Sequence, residues 1–351
     1  MDLLSTLLQN RPVLDQQDAH RARAAWSAVP THDFRTLMSE RYMSHHLLND
    51  IPRVIYTFWH SRELSPVVRA CVDTWRTHNP GFEIVVIDSE SAPAFLGDLA
   101  YLRGRTTFQQ LSDLVRSAVL RDRGGVWMDA SIFCTGPIQL PPGAEFVCYN
   151  YPGEDTICPE NWFIACARGC DFMRRWAAEF ARVFEFDAPE AYVSSLEAEG
   201  VDLRAVPASM RSYLTMHCAC LKVIQASAPS PFDDGARFVV MHSDAPGGPY
   251  EYLAINHWYN EEALRWLCAN PGSAYPIVKL RGIERAIVEA DPDLAACLLG
   301  RADGRGVREM FDEERGSRGA WGSWETYALT TLAIVLWALA CMCLLVVCQM
   351  L

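Results

Sequence analysis

Residues 108–131 read FQQLSDLVRSAVLRDRGGVWMDAS, and the way this run divides into helix, turn and strand decides the class of fold. Phe108, Leu111, Leu114, Val115, Ala118 and Val119 recur at three- and four-residue spacing, which sets them on one face of a helix and leaves Ser112, Asp113 and Arg116 off it. Gly124 and Gly125 end the helix, because a left-handed residue just past the last turn is cheap only for glycine. Val126-Trp127-Met128 then reads as a covered strand, and Asp129 as the residue where strand gives way to loop. Ligands of open α/β sheets collect beyond the carboxyl ends of the strands, so the position of Asp129 favours function. Asp129 and Ser131 are two apart, and in extended backbone their side chains point the same way. A hard divalent cation, Mg²⁺ or Mn²⁺, suits such a pair, since it takes a few protein oxygens and completes its shell from water and phosphate.

Working outward, Val54 to Trp59 is a β-branched and aromatic strand. Ser65-Pro66 opens a helix with Val68, Cys71, Val72 and Trp75 as its apolar stripe. Asn79-Pro80-Gly81 turns the chain into a second strand, Phe82 to Asp88, and Asp88 reads as a cap for the next loop in preference to a ribose contact. Strand, helix and strand in this order predict a parallel crossover. Downstream, Glu145–Tyr149 and Asn161–Ala165 read as strands, followed by a helix from Phe172 to Phe184. The acidic run 185–210, with Pro189, Gly200 and Pro207, is expected to be a surface excursion. Tyr213–Gln225 reads as a largely apolar helix, where His217 suits a hydrogen-bonded core better than a ligand position. Phe238–Met241 is a last strong strand that delivers His242 to its end.

The SDLVR and GGVWMDAS pieces resemble the SDxxR…GGxWxDAT segment of the capsular polysaccharide synthesis family of glycosyltransferases, which is related to DXD sugar transferases such as initiating mannosyltransferases and glucosylating toxins. Ser131 stands where a strict DXD enzyme has its second aspartate, although Ser or Thr is usual there in the capsular group. The likeness extends to IPRVIYTFWH (51–60), CVDTWRTHNPGFEIVVID (71–88), ENWFIACARGCDFM (160–173), Tyr213 to His217, and the YPIVKL block ending at Leu280. It implies a glycosyltransferase-A type Rossmann-like α/β sandwich with a mainly parallel central sheet. It also implies a nucleotide diphosphate sugar donor, a divalent cation, a glycan or glycolipid acceptor, and retention of anomeric configuration.

The same resemblance assigns candidate roles. Asp113 and Arg116 are implied to touch the nucleotide sugar, where their spacing alone reads as an i,i+3 ion pair on a solvated helix face. Lys279 is a candidate contact for the diphosphate, and Glu160 and Asn161 for the acceptor or leaving group, with Glu160 equally readable as an exposed loop charge. Trp59 is either a stacking group for the nucleotide or a core tryptophan. Asp129 and Ser131 are the expected cation ligands, with His242 and His257 as candidates to complete the set. Asp129, Arg116, Glu160 and Asn161 form the expected catalytic group. An inactive scaffold of the same fold and a glycoside hydrolase are the alternatives, and the lack of GxGxxG after the first strand disfavours a dinucleotide-dependent dehydrogenase.

Composition narrows the classes further. A net charge of −12 with no long basic run argues against a nucleic-acid partner. Thirteen cysteines without a CxxC pair read as buried thiols in a reducing compartment. The expected organisation is a helical extension over 1–50, a catalytic body over 51–300, a polar stalk over 301–325, and a charge-free span over 326–351. About 20 apolar residues cross a bilayer. With Trp321, Trp324 and Tyr327 at its entrance and Arg315 and Arg318 before it, the span is expected to be a single-pass tail anchor. No signal peptide is expected at the amino end, and the catalytic body is expected to face the cytoplasm.

Overall fold

β-branched and aromatic residues build the sheet, and glycine or proline marks most of its borders. The computed structural model describes residues 51–97, 99, 106–153, 156–270 and 276–300. The expected 1–50 extension, 301–325 stalk and 326–351 anchor lie outside the described residues. Among the described residues no helix is long and apolar enough to cross a membrane. Chain order runs β1 (Val54–Phe58), α1 (Pro66–His78), β2 (Glu83–Ile87), α2 (Pro93–Leu96), α3 (Phe108–Arg123), β3 (Gly125–Met128), β4 (Ile132–Cys134), β5 (Phe146–Asn150) and β6 (Pro159–Cys166). It continues α4 (Asp171–Ala181), α5 (Pro189–Ala198), α6 (Thr215–Gln225), β7 (Phe238–His242), α7 (Glu251–Ala254), α8 (Asn260–Ala269), β8 (Ile277–Lys279), α9 (Gly282–Ala290) and α10 (Pro292–Leu299).

Six strands form one sheet in the order β2-β1-β3-β6-β5-β7. β1 is parallel to β2 and β3, and β5 is parallel to β7. β6 is antiparallel to both of its neighbours, β3 and β5. The sheet is thus mainly parallel, as expected, with one reversed strand that the sequence reading did not distinguish. The reversal follows from the short return between Asn150 and Pro159, which pair across the ladder; so few residues cannot make a parallel crossover.

Alternating side chains feed a core on each face of the sheet. Trp127, Phe146, Ile164 and Cys166 pack with α3, α4, α5 and α6 on one side. Ile55, Val126, Met128, Val147 and Ala165 pack with α1, α8 and the last helices on the other. Covering both faces is what permits continuous apolar strands such as β3 and β5, every residue of which is buried. The stretch 185–210 departs from expectation, because α5 lies within it and sends Tyr192, Val193 and Leu196 into the first core. Eight described cysteines are buried outside any disulfide, as read from the sequence, whereas Cys268 of α8 and Cys297 of α10 form a disulfide with Cα atoms 5.8 Å apart.

Candidate active site

β2 and β3 flank β1 on opposite sides, so the order of the strands reverses at β1, and ligands of open α/β sheets gather outside the carboxyl ends at such a point. Trp59 directly follows β1 and Asp129 directly follows β3. Because β6 runs the other way, its first residues rather than its last lie at this edge. Met128 pairs with Phe163, and the Asp129 amide donates to the Trp162 carbonyl at 2.9 Å. That register brings Glu160 and Asn161 to the carboxyl end of β3.

α3 supplies the other wall. Thr107 and Gln110 form a reciprocal capping box at its start, and Gly124, at φ +63°, closes its end. Arg116, off the apolar stripe, is nevertheless only 3% exposed. Its Nη1 pairs with Asp113, its Nη2 donates to Oδ1 of Asp129 at 2.7 Å, and its guanidinium lies 4.8 Å from the centre of the Trp127 ring. Trp127 Nε1 donates to the same Asp129 oxygen at 3.1 Å, and Asn161 Nδ2 donates to Oδ1 of Asp113 at 3.1 Å.

The second cation arrives from far along the chain. β4 continues from Ser131 and pairs antiparallel with β8, placing Lys279 opposite Ile132. Lys279 Nζ donates to Oδ2 of Asp129 at 2.7 Å and to Oγ of Ser131 at 3.1 Å. The Ser131 hydroxyl donates to the Leu280 carbonyl at 2.7 Å, and the Leu280 amide returns a bond to the Ser131 carbonyl at 3.0 Å. Asp113, Arg116, Asp129 and Lys279 therefore form one chain of ion pairs with no net charge.

The two carboxylates respond in opposite directions. Burial raises the Asp113 carboxyl more than Arg116 lowers it, and the charge on Asp129 adds to the rise. Burial also acts upward on Asp129, but Lys279 and then Arg116 outweigh it and hold that carboxyl below its ordinary value. Neighbouring acids pushed apart in this way are a common mark of a functional site.

The cation expected at Asp129 and Ser131 meets an obstacle in these same contacts. A dication bridging the pair would have to sit where the Lys279 ammonium lies. A dication and an ammonium about 4 Å apart repel by roughly 8 kcal/mol at an effective dielectric near 20. Each Asp129 oxygen is already in an ion pair, and the Ser131 hydroxyl proton is committed to Leu280. The donor set does not fit the divalent ion. His242 and His257 are both exposed, and among the described residues no three His, Cys, Asp or Glu side chains gather as metal ligands. The structure does not bring these histidines into a set with Asp129.

Glu160 and His217 make a second buried pair beside the first. His217 Nε2 lies 3.1 Å from Oε2 of Glu160, and the imidazole is 1% exposed. The other ring nitrogen, Nδ1, is buried with no partner. Trp59 is half-buried, with the Arg285 guanidinium 5.0 Å from its ring centre, and neither stacking nor packing is singled out by that arrangement. Asp88 is the cap expected of it, accepting from the amides of Glu90 and Ser91.

Three further residues border the cluster. Trp127 was legible only as a strand residue, although its two-residue spacing from Asp129 puts both on one face. Met216 offers its sulfur 3.7 Å from both Arg116 and Asn161. Tyr213 is 63% exposed, and desolvation, then the charges of Asp113 and Asp129, push its phenol up.

Comparison with known proteins agrees with the motifs. The profile described as capsular polysaccharide synthesis protein matches residues 13–185. An O-glycosyltransferase, braB, of Annulohypoxylon truncatum is 27% identical over 159 residues, 37% of either chain. The subversion of eukaryotic traffic protein A of Legionella pneumophila is 23% identical over 186 residues, 43% of this chain and 29% of that protein. The chain thus spans little more than a third of the first curated relative and less than a third of the second. Among solved structures, the UDP-bound glycosyltransferase domain from the YGT toxin aligns over 75% of this chain and 99% of its own, at 9% identity and a TM-score of 0.38. The matched residues 13–185 hold β1 to β3, Asp113, Arg116, Asp129 and Asn161, so it is this part of the chain that is similar to the capsular polysaccharide synthesis proteins.

Proposed function

We propose that this chain is a glycosyltransferase that moves a sugar from a nucleoside diphosphate sugar to a hydroxyl of a glycan or glycolipid, with retention, on a glycosyltransferase-A type sandwich. The observation that carries the reading is the Asp113–Arg116–Asp129–Lys279 chain, with both cations buried, at the carboxyl edge of β1 and β3, in a segment similar to capsular polysaccharide synthesis proteins. When the glycosidic bond of the donor breaks, negative charge develops on the leaving diphosphate. Arg116 and Lys279, held in place before any ligand arrives, offset that charge with little reorganisation. Asp113 and Asp129 accept from ribose or sugar hydroxyls and fix the anomeric carbon near the acceptor. Asn161 and the Glu160–His217 pair form the acceptor side, and Trp59 borders the nucleotide.

Incubating the full chain with a panel of nucleoside diphosphate sugars and following released nucleoside diphosphate tests this reading. Turnover is expected with at least one donor, and Arg116→Ala or Asp129→Ala should lower it by about 100-fold or more, the cost of removing a group preorganised for transition-state charge. Turnover that survives both substitutions would sink the assignment, and failure to bind any donor would favour the inactive scaffold. We further propose that residues 326–351 anchor the 51–300 body to a membrane with that body on the cytoplasmic side.

A further inference from the structure

We infer that the Lys279 ammonium is the resident cation of this site, seated on the Asp129–Ser131 pair that the sequence offers to a divalent metal, so that the chain holds the diphosphate of its donor without one. The inference rests on the nucleotide-sugar reading above and goes beyond it in naming what meets the diphosphate. Its ground is the set of donors and acceptors around Asp129.

The ammonium bridges the two side chains that the sequence offers to a metal, Oδ2 of Asp129 at 2.7 Å and Oγ of Ser131 at 3.1 Å. The main chain of Lys279 is anchored on both sides. The Lys279 amide donates to the Pro249 carbonyl at 3.2 Å, and the Lys279 carbonyl accepts from the Tyr252 hydroxyl at 2.8 Å. With the residue 7% exposed in a strand of the small ladder, the side chain has little room to swing away.

Ser131 accounts for the exchange. Two aspartates in this position would leave a buried charge that a single ammonium cannot balance, and a dication would be needed. One aspartate and one hydroxyl carry a single negative charge, which Lys279 cancels. Asp113 and Arg116 cancel likewise, so the cluster offers a free dication no surplus of negative charge.

Donors remain for the ligand. An ammonium has three N–H groups, and two of those on Lys279 are spent on Asp129 and Ser131. Arg116 Nε is buried with no acceptor in the structure. A diphosphate oxygen placed against either would complete a charge-assisted hydrogen bond.

Calorimetric titration of the full chain with UDP and GDP, in excess EDTA and separately in Mn²⁺, tests the inference, with Mn²⁺ followed in parallel by its electron paramagnetic resonance signal. Affinity is expected to agree within about twofold between the two conditions, and the free Mn²⁺ signal to fall no further than the nucleotide alone causes. Lys279→Met, which keeps the buried stem, should weaken binding in EDTA by about 10- to 100-fold, the loss of one charge-assisted hydrogen bond. Adding Mn²⁺ should restore part of that loss, because the vacated pair can then take the ion. A tenfold or greater fall in wild-type affinity in EDTA, or stoichiometric loss of the free Mn²⁺ signal, overturns the inference while leaving the transferase reading intact. The wild-type arms decide this even if Lys279→Met does not fold. Binding of neither nucleotide in either condition removes the nucleotide-sugar reading and this inference together.

Discussion

Asp113 and Asp129 share Arg116, yet one carboxyl is raised and the other lowered, and the difference lies in how many cations each meets. Asp129 is reached by Arg116 and Lys279, Asp113 by Arg116 alone. The signs of their contributions to stability follow. Asp129, lowered in the folded state from an ordinary value of 3.8, adds stability above that pH and loses it as pH falls through the folded value. Asp113 is raised from the same 3.8, so its contribution is most favourable below that pH and is lost as pH rises through the folded value. Urea denaturation across pH should therefore show Asp129→Asn flattening the acid limb of the stability curve. Asp113→Asn should instead remove a decline that begins above about pH 4. Arg116 is the residue whose loss costs most. Arg116→Ala leaves Asp113 without its cation and Asp129 with Lys279 alone at neutral pH, and is expected to cost about 3 kcal/mol of unfolding free energy. Equilibrium denaturation of that variant at pH 7 and again near pH 4 checks the cause, because protonating the stranded Asp113 should recover part of the loss.

The joint between α3 and β3 is where an element-level change has its largest effect. A Cβ at Gly124 would lie 2.7 Å from the Arg168 amide nitrogen, and one at Gly125 would lie 2.9 Å from the Val54 carbonyl oxygen. Both glycines have positive φ, +63° and +107°. Left-handed backbone alone costs a residue with a side chain roughly 1–2 kcal/mol, and the contacts with backbone atoms leave no flexible group to yield. Gly124→Ala and Gly125→Ala should each destabilise by about 2 kcal/mol or more, read as a lowered midpoint in thermal denaturation. The β4–β8 ladder depends on a smaller device. Ser131→Ala removes the bond to the Leu280 carbonyl and one of the two oxygens that seat Lys279. A cost of about 1–2 kcal/mol is expected, with weaker nucleotide binding as a second readout because the ammonium is then tethered by Asp129 alone.

For the whole molecule, the net charge of −12 contrasts with a site whose charges sum to zero. An acidic chain presents an unfavourable long-range field to a diphosphate, so binding relies on cations placed at short range. The proposed anchor is tested at this scale as well. The full chain should stay with membranes through an alkaline wash, and deletion of residues 326–351 should release it to the supernatant. Retention after that deletion would mean that the span is not what holds the protein.

Residues 108–131 determined a good deal by themselves. Their periodicity specified α3, their paired glycines specified its end, and the apolar run after them specified β3 with Asp129 at its tip. These are local properties, set by side-chain spacing and by backbone conformations that only glycine adopts cheaply, and they can be read from neighbours in sequence. The reversed direction of β6 was decided by pairing across the sheet, and with it the arrival of Glu160 and Asn161 beside Asp129. Arg116, which spacing placed on the polar side of its helix, turned out to be buried because Trp127, Met216 and the two aspartates close over it. Lys279 was legible as a candidate phosphate contact, but nothing local said that it would reach back to Asp129 and Ser131. The aspartate and hydroxyl two residues apart, expected as metal ligands, both meet the Lys279 ammonium for that reason. Such spacing establishes which oxygens share a face, whereas the charge that meets them depends on which distant strand the tertiary structure lays alongside.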